Sequence, residues 1–394
     1  MDNALLDALR RHEAEFIALR QDLHRHPELG FQEHRTAGIV AGRLRDWGFE
    51  VTTGLAGTGI VGTLRGRRPG QGAIALRADM DALPIHEATG LPYASERDGM
   101  MHACGHDGHT AMLLAAARHL AENPDFGGTL HVIFQPAEEN LGGGRAMVEQ
   151  GLFDRFPCDA VFGLHNEPGL PVGHFATRAG PMLAAMDSWA VEFRGTGGHG
   201  AMPHRATDPT LAQAQFLLTL QAAIGRNIPA LEAAVISAGY ISAGTPAAPN
   251  VIPASVVLGG TARTFRSEVR DILERRLREL AEAAALAQGC TATIRFEAEY
   301  PVLVNSAAEA ARAADAAAAL AGEAAVRREA APITAAEDFA YMLQRRPGAF
   351  MMTGNGTSPD GVLRPVHTPL YDFNDAALIH GAAYWVTLAR RELA

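Results

Sequence analysis

The chain has little cysteine, no long apolar run and no excess of positive charge, and each shortage excludes a class of protein. Three cysteines among 394 residues, Cys104, Cys158 and Cys290, cannot supply the framework of a disulfide-stapled secreted domain. No apolar stretch reaches the ~18 residues that a membrane-spanning helix needs. The mixed-charge amphipathic start MDNALLDALRRHEAEF lacks the apolar centre of a signal peptide. A cytoplasmic location is therefore expected, with no membrane partner. The 44 acidic residues outnumber the 34 lysines and arginines, giving a net charge of −10. The short RGRR run at 65–68 reads as solvated loop, so no nucleic-acid partner is expected. There is also no G-x-S-x-G elbow, no H-E-x-x-H pair and no C-x-x-C, so the commoner hydrolase and thiol signatures are absent.

What is present describes a soluble globular protein, with 47% hydrophobic and 20% charged residues. At this length two domains are expected rather than one core. Apolar periodicity predicts helices over 4–26 and 33–47, the second closed by Gly48. Strands are predicted over 58–64 and 73–78, the latter running into Asp79. A helix over 109–121 precedes strands at 129–135, stopped by Pro136, and 159–164, ending at His165. This alternation predicts an α/β catalytic domain with a mixed, largely parallel sheet. Reactive groups in such sheets collect beyond the carboxyl ends of the strands, where Asp79, Glu138, Glu139 and His165 stand.

The rhythm changes between about 184 and 299. Strand 188–195, helix 208–225, strands 233–242 and 255–265, helix 267–288 and strand 291–300 follow in the order β-α-β-β-α-β. That is the ferredoxin-like arrangement, complete in itself. Residues 184–299 are therefore predicted to be a domain inserted into a catalytic metal-binding domain made of 1–183 and 300–394. An Ala-rich helix is predicted over 306–331. The chain then returns through EDFAYMLQ, AFMMTGNG and the loop carrying His367.

The segment His102-Ala-Cys-Gly-His-Asp-Gly-His109 packs a thiol, three imidazoles and a carboxylate into eight residues. Cys104 and His106 stand two apart, so extended or looped backbone points both side chains one way. A lone Cys-x-His is more often a buried cysteine beside surface histidines. Here Asp107 and His109 follow at once, and Glu138, Glu139, His165 and His367 recur singly after apolar runs. Thiolate and imidazole together suit zinc or a similar borderline metal.

Glu138-Glu139 follows a buried strand and Pro136 and precedes Gly142-Gly143-Gly144. Adjacent side chains on extended backbone diverge, which lets one carboxylate bind metal while the other faces water. Metal-assisted hydrolysis needs that division: a Lewis acid lowers the pKa of water toward ~7 and a free carboxylate removes the proton. Asp79 and Asp81 are strand-end carboxylates of the kind that fix a histidine tautomer. Met100, Met182, Leu183, Met186, Phe339 and Met352 are candidates to line a substrate pocket, although core packing is the commoner role.

ALRADMDALP, HACGHDGHTAMLL, FQPAEE, GLHNEP, GGHGAMPH, GTARTF, EDFAYM and HTPLYDFND occur in order along the whole chain. In these segments the chain resembles the hippurate hydrolase and auxin-conjugate amidohydrolase family, N-acyl-amino acid amidohydrolases of the aminoacylase–carboxypeptidase metallopeptidase clan. The resemblance implies a two-metal catalytic domain and an inserted lid that also forms a homodimer or higher homo-oligomer. It makes Cys104, His106, Glu139, His165 and His367 the metal ligands and Glu138 the general base and acid. His199 matches the histidine that stabilises the oxyanion, often from the partner subunit. Asn250 and Arg263 match positions that hold the substrate's carboxylate, a role suited to the planar guanidinium fork.

Two divalent metal ions per subunit are implied. The thiolate favours zinc, while oxygen and imidazole ligands also admit manganese, cobalt or nickel. Many members of the wider clan carry His-x-Asp where this chain has Arg77-Ala-Asp79, so Asp79, like Asp107, is given a supporting place rather than a ligand's. The implied reaction splits a small N-acyl-amino acid into a carboxylic acid and a free amino acid. Two alternatives are a dipeptidase or carboxypeptidase of the same clan and a metal-bearing protein without catalysis. Glu138 and His199 speak against the second, since a binding protein needs no proton shuttle beside its metal.

Overall fold

The computed structural model describes residues 3–139, 141–358 and 360–394. The amphipathic start forms two helices, α1 (Asn3–Arg10) and α2 (Glu13–Arg25), instead of the single helix predicted over 4–26. The break falls at His12, which leaves helical geometry (φ −115°, ψ 5°) while its carbonyl accepts from the Glu15 and Phe16 amides. Leu5, Leu6 and Leu9 of the first helix and Phe16, Leu19 and Leu23 of the second are buried in one core. Next comes α3 (His34–Asp46), ended by Gly48 at φ +85°, the left-handed stop that glycine supplies to helices.

The strands then follow quickly: β1 (Glu50–Leu55), β2 (Gly59–Arg65) and β3 (Arg68–Asp79). The first is an addition to the sequence reading; its half-exposed, polar alternation hides it. After α4 (His106–Glu122) come β4 (Gly127–Gln135), α5 (Gly143–Glu149), α6 (Leu152–Arg155), β5 (Ala160–Pro168), β6 (Phe175–Ala176) and β7 (Gly180–Leu183).

The chain next runs through β8 (Ala185–Arg194), β9 (Gly198–His199), α7 (Pro209–Asn227), β10 (Ala234–Ala243), β11 (Val251–Ile252), β12 (Ser255–Thr264), α8 (Ser267–Ala287) and β13 (Thr291–Tyr300). It finishes with β14 (Leu303–Asn305), α9 (Ala307–Ala321), β15 (Val326–Arg327), α10 (Ala340–Leu343), β16 (Gly348–Gly356) and α11 (Asp375–Glu392). The Ala-rich helix thus ends ten residues before the expected 331, at Gly322 (φ +88°).

Two compact units emerge. One comprises Met1–Met182, Val304–Ala331 and Asp338–Ala394; the other comprises Leu183–Leu303 and Pro332–Glu337. The first is built on an eight-stranded sheet in the order β1-β2-β4-β3-β5-β16-β6-β15. Its centre is parallel, with β3 beside β4 and β5, and β5 beside β16, while β1, β2 and the β16–β6 contact are antiparallel. This is the mixed, largely parallel sheet expected. Leu76, Leu113, Phe162, Met351 and Trp385 share its continuous core.

The second unit carries the sheet order β10-β12-β8-β13, antiparallel throughout. With α7 and α8 this is the ferredoxin-like topology. Trp189, Phe193, Phe216, Leu220, Leu273 and Leu277 fill its own core. Asp208 caps α7 by accepting from the Thr210 amide, ahead of Pro209 at the first helical position. Of the six apolar pocket candidates, Met182, Leu183, Met186, Phe339 and Met352 are buried core residues, which leaves only Met100 partly exposed.

Candidate metal centre

Parallel pairing sets the carboxyl ends of four strands side by side: Asp79 registers with Gln135, Arg77 with Gly163, and His165 with Met352. His165 lies within β5 rather than at its end, because the strand continues through Asn166 to Pro168. Of the two backbones expected, extended or looped, Cys104 and His106 use the looped one. Gly105, at φ +99°, is the residue before α4, and His106 opens that helix. The close approach requires glycine, since a Cβ there would lie 2.2 Å from Asn166 Oδ1 and 2.5 Å from the Tyr371 hydroxyl. Glu139 follows Gln135 and the Pro136-Ala137 turn. His367 is held by its own amide, which donates to the Ala103 carbonyl at 2.7 Å.

The ligand atoms of Cys104, His106 and His165 lie within 4.8 Å of one another, as do those of Cys104, Glu139 and His367. The thiol is common to both groups. His106, Glu138 and Glu139 form a third group of the same tightness, so Glu138 stands directly beside the donors. Cys104 Sγ is 3.3 Å from His165 Nε2, and His367 Nε2 is 3.0 Å from Glu139 Oε1.

Burial pushes the Cys104 thiol well up, and the charges of Glu139, Glu138 and Asp79 push it further. Burial works the other way on His106, yet Asp79 and Asp81 raise it to about 10. Its Nε2 has no hydrogen-bond partner among the described residues. A thiol that ionises only beside a positive charge, acids that favour positive charge at His106, and an unbonded imidazole nitrogen all fit divalent cations.

Beneath the donors runs a chain of buried polar contacts. Asp81 accepts from His106 Nδ1 through Oδ1 (3.1 Å) and from the Glu139 amide through Oδ2 (2.9 Å). Asp79 bonds His109 Nδ1 at 2.6 Å. His109 Nε2 lies 2.6 Å from Asn166 Oδ1, and the Asn166 amide group donates to the Tyr371 hydroxyl at 2.8 Å. Arg77 donates to Asp79 (2.7 Å), Gln135 (2.8 Å) and Asp338 (3.1 Å), all inside the protein. Burial would raise Asp79, but His106, Arg77 and His109 outweigh it and hold its carboxyl well below the usual range. Asp107 faces away from the donors, bonded to His24 at 2.9 Å and to Arg20 at 3.5 Å.

Residues 75–391 match the model of peptidase family M20/M25/M40. The chain belongs to that family. Hippurate hydrolase of Campylobacter jejuni is 38% identical over 381 residues, covering 97% of each chain. N-acetyl-L-cysteine deacetylase of Bacillus subtilis is 39% identical over 383 residues, covering 97% of this chain and 89% of the relative. A solved dinuclear metal-binding peptidase of the M20 family from Bacillus subtilis superposes with a TM-score of 0.83 at 34% identity, covering 98% of this chain and 99% of that one.

The other predicted residues of this M20 chain lie in the ferredoxin-like unit. His199 on β9 pairs with Val251 on β11, and the Gly200 amide donates to the Asn250 carbonyl at 2.8 Å, so His199 and Asn250 are neighbours. The Ala201 amide donates to His199 Nδ1 at 3.1 Å. Arg263, half-buried on β12, donates to the Ala262 carbonyl; no hydrogen bond among the described residues joins it to His199 or Asn250.

The sequence assigned no role to Arg77, Gln135, Asn166, Asp338 or Tyr371, although each lies in a segment that carries the resemblance. Arg77 carried a signal: an arginine inside the apolar run AIALRAD must find a buried partner. Asn166 and Tyr371 stand inside GLHNEP and HTPLYDFND, but neither residue type there pointed to a role of its own.

Proposed function

We propose that this M20-family chain is a dinuclear metal-dependent amidohydrolase that splits N-acyl-amino acids into a carboxylic acid and a free amino acid. The observation that carries the reading is the clustering of Cys104, His106, Glu139, His165 and His367 with a further carboxylate, Glu138, among them. The relatives named hippurate hydrolase and N-acetyl-L-cysteine deacetylase support the substrate class.

In this reading Cys104, His106, Glu139, His165 and His367 would hold the two cations, with zinc the metal best suited to a set that includes a thiolate. Bound there, divalent cations polarise the scissile carbonyl and acidify water. Glu138 takes the proton of the attacking water and returns it to the departing amine nitrogen. His199 donates to the developing oxyanion. Because its Nδ1 accepts the Ala201 amide, its proton sits on Nε2, the nitrogen free to donate. Such a donor contributes about 3–4 kcal/mol to the transition state. Asn250 and Arg263 hold the substrate carboxylate.

Homodimerisation through the ferredoxin-like domain is part of the proposal. β10 is the edge of its sheet and exposes Val235, Tyr240 and Ile241, an apolar edge that invites pairing. Three free cysteines suit a reducing cytoplasm, and no helix among the described residues is long and apolar enough to cross a membrane.

The test is a substrate panel after reconstitution with zinc, manganese, cobalt or nickel. Turnover of hippurate and N-acetyl-amino acids above that of simple dipeptides is expected. Preference for dipeptides would replace this reading with that of a dipeptidase, and no turnover of either would refute it.

A further inference from the structure

Glu138 is aimed by an unusual piece of backbone. Ala137, immediately before it, sits at φ +53°, a left-handed conformation that residues with a Cβ rarely adopt. Ala137 is fully buried, and its carbonyl accepts from the Gly143 amide at 2.9 Å. Its own amide donates to Glu33 Oε1 at 2.8 Å, while the other oxygen of Glu33 accepts from the Thr58 hydroxyl at 2.6 Å. Glu33 is 0% exposed. On the far side of Glu138, the Glu139 amide donates to Asp81. Two buried carboxylates therefore grip the backbone on either side of the residue proposed to move the proton.

Glu33 occupies the residue before α3, where the ordinary task of an acidic side chain is to cap the helix. It makes no such contact. Glu28 does that work, accepting the Arg35 and Thr36 amides through its two oxygens at 2.9 Å each. The Glu33 side chain instead crosses 104 residues of sequence separation to Ala137. A buried carboxylate is costly to maintain without purpose, and neither helix capping nor a salt bridge among the described residues explains this one.

We propose that Glu33 is a positioning residue for catalysis: its grip on Ala137 holds the left-handed turn that directs Glu138 toward the reacting water. This rests on Glu138 being the general base. The carboxylate acts as a hydrogen-bond acceptor here, not as a charge. Gln in its place keeps an acceptor for Ala137 and a donor for Thr58, whereas Ala removes both and Asp falls a methylene short.

The test compares Glu33→Ala, Glu33→Asp and Glu33→Gln, each with and without Ala137→Gly, on the full-length metal-loaded protein. Steady-state hydrolysis of hippurate, elemental analysis and circular dichroism are the readouts. Glu33→Ala should lower kcat by about tenfold to a hundredfold, the scale of a small misplacement of a reacting group, with KM within about twofold and metal content unchanged. Glu33→Gln should stay within about threefold of the parent. Glycine adopts positive φ without strain, so Ala137→Gly should restore kcat in the Glu33→Ala background by at least about threefold, a coupling that a merely structural role would not produce.

Parent-like kcat in Glu33→Ala, equal damage from Gln and Ala, loss of metal in step with kcat, or no rescue by Ala137→Gly would each overturn the inference. If Glu33→Ala does not fold, Glu33→Asp decides: kcat must fall with KM held, and parent-like kcat overturns it. Glu138→Gln, assayed alongside, separates the two levels. An active Glu138→Gln overturns the general-base assignment and this inference with it. An inactive Glu138→Gln beside an unimpaired Glu33→Ala overturns this inference alone.

Discussion

Replacing Asp81 with Asn should weaken metal binding without altering any donor. Asp81 is 1% exposed and divides its oxygens between His106 Nδ1 (3.1 Å) and the Glu139 amide (2.9 Å). A carboxylate accepts both bonds at once and thereby keeps the His106 proton on Nδ1, leaving Nε2 as a lone-pair donor. Asparagine has the same shape but only one acceptor. If its amide group faces Glu139, two N–H groups oppose each other and the Glu139 backbone is pushed away. If it faces His106, the imidazole must accept at Nδ1, and the proton moves to Nε2, which has no hydrogen-bond partner among the described residues. Leaving a buried donor unsatisfied costs about 1–3 kcal/mol. That range corresponds to a loss of roughly tenfold to a hundredfold in affinity, the magnitude seen when the outer partners of metal-binding histidines are removed. Competition against a fluorescent zinc chelator measures it, with circular dichroism to check the fold. Affinity within about twofold of the parent would refute the claim that Asp81 sets the tautomer and holds Glu139.

Three further outcomes follow from the same geometry. Gly105→Ala places a Cβ 2.2 Å from Asn166 Oδ1 at φ +99°, so it should destabilise the protein and lower metal content, and full loading by elemental analysis would contradict the turn's role. Arg77→Met leaves Asp79 and Asp338 buried without their guanidinium; removing one member of such a cluster costs about 3–5 kcal/mol, read as a lower urea midpoint, and an unchanged midpoint would contradict it. His24 is buried, which lowers its pKa, but its bonds to Asp107 and Glu87 outweigh this and raise it to about 9. A folded pKa above the ordinary histidine value means the stabilisation is complete below about pH 6.5 and is lost as pH rises through about 9, by up to roughly 1.4 kcal/mol per pH unit. His24→Gln should flatten urea midpoints across that window, and an identical pH slope in the variant would refute the assignment.

Patterns local in sequence were the most legible. The apolar run before Asp79 and the strand stopped by Pro136 each announce themselves within a dozen residues, and the β-α-β-β-α-β rhythm of the second unit is a succession of such local patterns; the mixed sheet and ferredoxin-like topology follow from them. Features set by backbone dihedrals were not legible. The left-handed Gly105 makes His106 the first residue of a helix, and the left-handed Ala137 redirects Glu138 and Glu139, which the sequence places as neighbours on extended chain. Long-range polar pairing was equally hidden: Arg77 meets Asp338 across 261 residues and His109 meets Asn166 across 57. Such contacts depend on which strands become adjacent, and no window of sequence contains that. The polar, half-exposed β1 and the break in the first helix were hidden for the opposite reason, since their apolar patterns differ little from those of a loop and of a continuous helix.

The central claim is that Glu138 moves the proton beside a two-cation donor set. It is tested most directly by Glu138→Gln, assayed for kcat on hippurate alongside metal content by elemental analysis. The variant should hold two cations per chain, as the parent should, with kcat lowered by about 10²–10⁴-fold. Near-parent turnover at full metal loading would contradict it.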